Sequence, residues 1–376
     1  MYTAADRSAI RGTILQPHRP WRDASSRSSP ADCQLAVRAP RYRRRVPAHR
    51  CALVLAACAA CASSPSTPFD AAFDDASNVA HVTSLSVQRD GAVVREAYYH
   101  CTARTTHDVR SVTKTVTSLL IGVALDTGCV RSLDQPIGEL LGDLAPTDPA
   151  KAAITVRDLL SMTSGFEWQE DGAIGYIDWD SSPDQVEYVL ALPLVTPPGT
   201  RFNYNSGALH LLSVILTHAC APTASFADQY LFGPLGIPRP DWELDEQGNI
   251  NGAAGIQLTT PQLVAIGQLI LDRGRFGSAQ IVSASYIDLM TTSQIATGEA
   301  DDETPDYGFG IWLGTRPGGD MFALAEGFGG QFIAVVPERR AVVVATSALD
   351  GLDLHTGSSD FIALFHVLVR GLLPTL

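Results

Sequence analysis

The chain has 376 residues, of which 45% are apolar and 18% charged, and a formal net charge of −13. That is enough for one large domain or two interleaved ones. Residues 1–50 hold 11 of the 27 basic residues and only Asp6, Asp23 and Asp32, so the remainder carries 16 basic against 37 acidic residues, a net −21. Such a body excludes nucleic acid and anionic lipid as partners for its surface.

In chain order, residues 1–45 are rich in Arg, Ser and Pro without a hydrophobic period. They read as a disordered or untranslated extension. Residues 46–61 read as an export signal: Arg41-Tyr42-Arg43-Arg44-Arg45 precedes a short apolar run from Cys51 to Cys58, too short to span a bilayer. Leu55-Ala56-Ala57-Cys58 resembles the lipobox of bacterial lipoproteins. The resemblance implies a lipid on Cys58 and a place in the periplasm or at the outer membrane, with that anchor as the chain's contact with a membrane. Cys61 is a poorer acceptor, and plain signal-peptidase cleavage is the alternative. Residues 62–78 read as a tether and 79–376 as the folded body. Cys101, Cys129 and Cys220 remain there, and an exported protein can pair two of the three.

Within the body, Leu85–Ala97 alternates about Asp90-Gly91 and predicts a β-hairpin. Ser111–Leu125 is a buried helix closed by Gly128. A helix capped at Thr155 is expected to run to Gly165. Glu167–Asp184, with Tyr176 and Trp179, reads as a turn-rich, substrate-side loop, and Asp184–Leu192 as helix. The loop Pro197–Gly207 leads into an apolar helix from Ala208, and Thr260-Pro261 opens another. Strands return at Tyr307–Leu313, then as a hairpin of Gly327–Val336 and Ala341–Thr346, with a closing helix from about Asp360 to Leu372. Sheet is thus expected from 79–110 and 300–376 and helices from about 130–295: an α+β fold, an antiparallel sheet domain with an inserted helical region.

The chemistry concentrates at Ser111 and Lys114. Three residues apart on a helix, they point the same way. The chain has two lysines, Lys114 and Lys151, against 25 arginines. A buried lysine can shed its proton and an arginine cannot, so a serine beside it is a nucleophile with its base attached. Tyr204, in an irregular loop before a buried helix, is the candidate third member. Gly329-Gly330-Gln331 precedes a hydrophobic strand, where glycines let backbone N–H groups approach an oxyanion. No Cys-x-x-Cys or His-x-x-x-His spacing suggests a metal, and His210, on an apolar helix, reads as a satisfied core residue.

Taken together, SVTKTVTSLLIGVALDTG, ITVRDLLSMTSGF, PPGTRFNYNSGALHLLS, LFGPLGI, YGFGIW and EGFGGQFIAVVPE resemble the serine hydrolases related to class C β-lactamases. The 6-aminohexanoate-dimer hydrolase and family VIII esterase branch is the nearest match. The resemblance implies a β-lactamase/transpeptidase-like fold with a five-stranded-type sheet, no cofactor, and a small ester or amide substrate. It implies Ser111 as the acylated nucleophile, Lys114 as its partner and Tyr204 as general base and acid. The backbone N–H groups of Ser111 and Gln331 would form the oxyanion hole, with Ser206, Gly329, Gly330, Tyr176 and Trp179 on the substrate side. Tyr204-Asn205-Ser206 departs from the Tyr-x-Asn of class C β-lactamases, and Phe328-Gly329-Gly330 from their Lys-Thr-Gly. A β-lactamase or D-alanyl-D-alanine carboxypeptidase is one alternative; a catalytically silent ligand-binding protein or sensor is another. The oligomeric state stays open.

Overall fold

The computed structural model describes residues 68–298 and 303–376. The expected export signal, Cys58 and residues 62–67 of the tether lie outside them. The rest of the expected tether is not a linker: Asp70–Ser77 is a helix whose Ala72, Phe73 and Ala76 are buried in the core. One antiparallel sheet is assembled from the two ends of the body. Its long strands are β1 (Val82–Arg89), β2 (Ala92–Tyr98), β10 (Met321–Gly327), β11 (Gln331–Val336) and β12 (Ala341–Ser347). The two-residue β7 (Ile295–Ala296) and β8 (Asp306–Tyr307) and the four-residue β9 (Trp312–Thr315) extend it, in the order β2-β1-β12-β11-β10-β9-β8-β7. The sheet therefore has eight strands where five were implied; the extra three are short. Asp90 and Gly91, both at positive φ (52° and 74°), make the tight β1–β2 turn. A separate pair, β3 (Thr106–Asp108) with β4 (Gln257–Thr259), lies just ahead of the serine helix.

Every residue of β11 and β12 is buried, because helices cover both faces. On one face Gly267 of the Thr260–Leu271 helix lets Val342 and Ile333 approach its backbone. On the other, Phe332 meets Phe361 and Phe365 of the Leu354–His366 helix. This explains a run, Ala341-Val-Val-Val-Ala, with no polar alternation.

Three local expectations need correcting. The helix capped at Thr155 spans only Val156–Leu160, because Gly310 N–H binds Leu160 O and the chain turns through Met162 at φ 59°. Its capping box with Asp158 is present. The segment Tyr307–Leu313 is two strands, not one: Gly308 N–H binds Ile311 O and Gly310 adopts φ 68°, folding the chain back. The closing helix starts at Leu354, where the Asp353 side chain caps the Thr356 N–H.

The helices of the middle third pack around two central ones, Val112–Thr127 and Ser206–Ala219. Their far ends are joined by the Cys129–Cys220 disulfide, with Cα atoms 5.3 Å apart at a sequence separation of 91; Cys101 is outside this bond, its thiol donating to Thr83 O at 3.0 Å. His210, fully buried, contacts Asp245 Oδ2 at 3.2 Å through Nε2 and accepts from Gly252 N–H. Cross-linking a loop this long stabilises a fold by roughly 2–5 kcal/mol. Cys220→Ser is therefore expected to lower the urea-unfolding midpoint markedly, and reduction of the wild type to bring it to the same value; a midpoint insensitive to both would show the bond to be incidental.

Candidate active site

Ser111 stands at the N-cap of the Val112–Thr127 helix, directly after Arg110, which is held at φ 47° with its N–H on Asp108 Oδ1 at 2.8 Å. The helix is buried from Val112 to Ala124. Its hydroxyl residues are not exposed positions that happen to be polar. Thr117 donates to Gly252 O at 2.8 Å, Thr113 accepts from Ile256 N–H, and Thr115 donates to Gly310 O at 2.7 Å. They strap the 252–256 segment and the Gly310 turn to the helix, and so build the walls around Lys114.

Lys114 is 1% exposed. Its Nζ lies 2.8 Å from Ser111 Oγ, donates to Ala253 O at 3.0 Å, and sits 4.9 Å from the centroid of the Tyr204 ring. Burial pulls its pKa down from 10.5 to about 8, with the Glu170 carboxylate pulling the other way. Tyr204 reaches the same serine from the opposite side. Its ring stacks on Trp312 (5.6 Å, 20°) and meets Tyr307 edge-on. Burial, then Tyr307 and the Glu170 and Glu326 carboxylates push the phenol well above its ordinary value; the hydrogen bond to Ser111 opposes them weakly. At neutral pH this phenol keeps its proton.

Ser111, Lys114 and Tyr204 thus converge on one point. The other candidates are distributed differently. Ser206 is fully buried at the first turn of its helix, and both its N–H (3.1 Å) and its hydroxyl bind Glu170. Trp179 is also fully buried, its Nε1 donating to Gln185 O at 3.1 Å among Trp168, Tyr176 and His210; it belongs to the helical core. Tyr176 lies near Arg110, Asp180 and Glu243, where burial and the carboxylates raise its pKa well above 10. Gly329 and Gly330 (φ 78° and 99°) turn the β10–β11 hairpin against Leu349, Ser347 and Leu364. The Gln331 side chain donates to Ser347 O at 2.9 Å and accepts from its N–H. The glycine that abuts the segment just before the serine is Gly327: a Cβ there would lie 2.4 Å from Val109 O, 3.0 Å from Gln331 Cβ and 3.3 Å from Arg110 Cβ.

Sequence reading did not single out Glu170, Tyr307, Trp312 or Ala253, and named Phe328 only as the residue that replaces a lysine ahead of Gly329-Gly330. Trp312 was visible only as part of YGFGIW, and Glu170 only as a carboxylate between Trp168 and the Gly172 turn.

With this geometry in hand, comparisons with known proteins define the class. The sequence profile of the Beta-lactamase family matches residues 69–365. The chain belongs to the Beta-lactamase family. Its curated relatives include protein Rv1367c of Mycobacterium tuberculosis (strain ATCC 25618 / H37Rv), 26% identical over 219 residues, or 47% of this chain and 53% of the relative. The chain spans about half the length of the curated relatives it matches. Among solved structures, a candidate 6-aminohexanoate-dimer hydrolase from Bacillus anthracis superposes with a TM-score of 0.63 at 19% identity, covering 77% of this chain and 80% of that one. A D-stereospecific amidohydrolase from a Streptomyces species gives 0.58 at 18% identity over 78% and 95%. At these identities the likeness shows the fold, a β-lactamase/transpeptidase-like antiparallel sheet with helices.

A lysine ammonium held in this pocket opposes folding. Lys114→Met is therefore expected to raise thermal stability at pH 7. The sign follows from the lowered pKa: the unfolded chain binds the proton more tightly, so the penalty is full below pH 8 and fades as pH rises toward 10.5. Melting temperatures of wild type and variant should differ most at pH 7 and converge near pH 10; a variant less stable at pH 7 would contradict this.

Proposed function

We propose that the chain is a serine hydrolase that cleaves an ester or amide through an acyl-enzyme on Ser111. The observation that carries this reading is the 2.8 Å contact between Lys114 Nζ and Ser111 Oγ in a fully buried pocket, with the amine brought to about 8. A base with that proton affinity is part-neutral at working pH and can take the serine proton. Tyr204 was expected as base as well as acid. Its raised pKa favours a narrower role: Lys114 is the base, and the neutral Tyr204 phenol donates to the departing group. Among the described residues, the N–H groups of Ser111 and Phe328 meet no protein acceptor. Gly327 packs against Val109 and Arg110, which lead into Ser111, so this pair is preferred to Ser111 with Gln331 as the oxyanion hole.

Three results follow for a neutral ester. Ser111→Ala abolishes turnover, and a slow acylating ester leaves its adduct on the Ser111 peptide. The kcat/KM profile rises with an apparent pKa of about 8, the value at Lys114. Tyr204→Phe harms alkyl esters and amides by about 10²-fold or more but p-nitrophenyl esters far less, since p-nitrophenolate leaves without a proton. An adduct on another serine, or equal loss on both substrate types, would refute these assignments.

The surroundings favour neutral or cationic substrates over β-lactams, whose carboxylate lies near the scissile carbonyl. Strand β10 brings Ala325-Glu326-Gly327 to the site, and Glu326 is buried near Tyr204 and Tyr307. The guanidinium beside the serine, Arg110, is paired with Asp108 (3.4 Å) near Asp180 and Glu243. Lys151 is remote, its Nζ on Leu190 O. Turnover of p-nitrophenyl butyrate should exceed that of nitrocefin in kcat/KM; nitrocefin ahead by tenfold would favour the β-lactamase alternative. The disulfide supports, and export through Cys58 agrees with, a place outside the cytosol.

A further inference from the structure

The loop before the Tyr176–Asp180 helix is folded to deliver one carboxylate into the site. Asn203 Nδ2, one residue before Tyr204, donates to Trp168 O at 3.0 Å, and Gln169 and Ile174 close a turn at 2.8 Å. Gly175 has no room for a side chain: a Cβ would lie 1.9 Å from Gln169 O. Gly207 has little more, since its Cβ would meet Val189 at 2.5 Å and the Trp168 ring at 3.1 Å. The indole therefore lies flat on the start of the Ser206–Ala219 helix and hands the next carboxylate to that helix end. Glu170 Oε2 accepts from Trp168 Nε1 at 2.6 Å and from Ser206 N–H at 3.1 Å, and Oε1 accepts from Ser206 Oγ. Three donors at a helix N-terminus hold this carboxylate in one place.

We propose that Glu170, clamped by Ser206 and Trp168, is a positioning residue that stabilises the ammonium formed on Lys114 when Ser111 gives up its proton. The inference rests on the hydrolase reading above and adds a fixed anion to Ser111, Lys114 and Tyr204. The arrangement is nucleophile, base and fixed anion, with Glu170 standing to Lys114 as the carboxylate of a Ser-His-Asp triad stands to its histidine. Glu170 does not touch Lys114; its charge acts across the pocket. The groups that face Lys114 are Ser111 on its own helix, the Ala253 carbonyl, and the Tyr204 phenol, which Tyr307 and Glu326 flank from the sheet. The proton bookkeeping is simple. The Ser111 proton moves to Lys114 Nζ as the Oγ–carbon bond forms, and a proton is later returned to the leaving group through Tyr204. Glu170 exchanges none.

Because Lys114 and Lys151 are the chain's two lysines, lysine labelled with carbon-13 at Cε gives two signals. Lys151→Arg assigns them, and Lys114 can be titrated directly in the full chain without substrate. Glu170→Gln keeps the clamp, since its carbonyl oxygen takes the two N–H donors and its amide donates to Ser206 Oγ. The expected result is a Lys114 midpoint lower by about one pH unit, the size of one charge acting across a partly screened pocket. In turnover, the acid limb of the p-nitrophenyl butyrate profile shifts down by the same amount, and kcat falls about tenfold with KM within twofold. Glu170→Asp, which keeps the charge, returns the midpoint toward wild type and is the variant read if Gln loosens the fold.

An unchanged or higher midpoint in Glu170→Gln overturns the proposal, as does a Glu170→Asp midpoint as low as that expected for loss of the charge. A purely structural residue would lower activity without moving the limb. Ser111→Ala in the same ester assay tests the hydrolase reading separately. If Ser111 proves dispensable while the Lys114 midpoint still responds to Glu170, the electrostatic coupling stands and the catalytic role assigned to it fails.

Discussion

The molecule is organised by the burial of one amine. Moving the Lys114 pKa from 10.5 to about 8 corresponds to about 3 kcal/mol against folding at neutral pH, a large fraction of the stability of an ordinary domain. The surrounding structure bears this cost through features that lie far apart in sequence. The Val112–Thr127 helix is wrapped on all sides, its hydroxyls strapped to segments 252–256 and 310. Both faces of β11 and β12 are covered by helices. The Cys129–Cys220 bond ties the far end of the serine helix to the far end of the helix that follows Tyr204. The two elements carrying the reactive side chains are thereby fixed at both ends.

The same burial separates the roles of two groups that might otherwise compete for one. Desolvation lowers an amine's pKa and raises a phenol's. Lys114 and Tyr204 share a dry pocket and Ser111, yet one is driven toward its neutral, basic form and the other is held in its neutral, acidic form. A tyrosinate would need a cation strong enough to offset burial. The Glu170 and Glu326 carboxylates act in the opposite sense, and Lys114, the cation beside the ring, is itself driven toward its neutral form by burial. The division into lysine base and tyrosine acid therefore follows from the environment.

What was legible in the sequence was local or carried by long motifs. The β1–β2 hairpin follows from Asp90-Gly91, the serine helix from its apolar run and Gly128, and the α+β arrangement from strands at both ends with helices between. The Ser111–Lys114–Tyr204 convergence was readable from family-like spacing. Features set by distant packing were not. Trp179 sits in an aromatic-rich, glycine-rich stretch that reads as an exposed loop, but His210 and Trp168 enclose it. Gly329 and Gly330 advertise close backbone approach, and they do make one, against Leu349, Ser347 and Leu364; Gly327, a single glycine closing a strand, is the one against the Val109-Arg110 segment that leads into the serine. Glu170 gave no signal because its meaning depends on Ser206, 36 residues later in the chain.

Ser206 and Glu326 carry one further consequence for the chemistry. Where class C β-lactamases carry the asparagine of Tyr-x-Asn, this chain has Ser206, and the Phe328-Gly329-Gly330 that stands for their Lys-Thr-Gly has no lysine but follows Glu326 at the end of β10. A second lysine near Lys114 would depress the amine further and leave a weaker base with a positive subsite for a carboxylate. A serine that recruits Glu170, and a glutamate on the strand, do the reverse. The Glu170 carboxylate raises the proton affinity of Lys114 against the effect of burial, while Glu326 adds negative charge beside Tyr204 and Tyr307. On the proposed reading, the carboxylate recruited by Ser206 bears both on the strength of the base and on the charge a substrate meets, so replacing Glu170 would move both properties together.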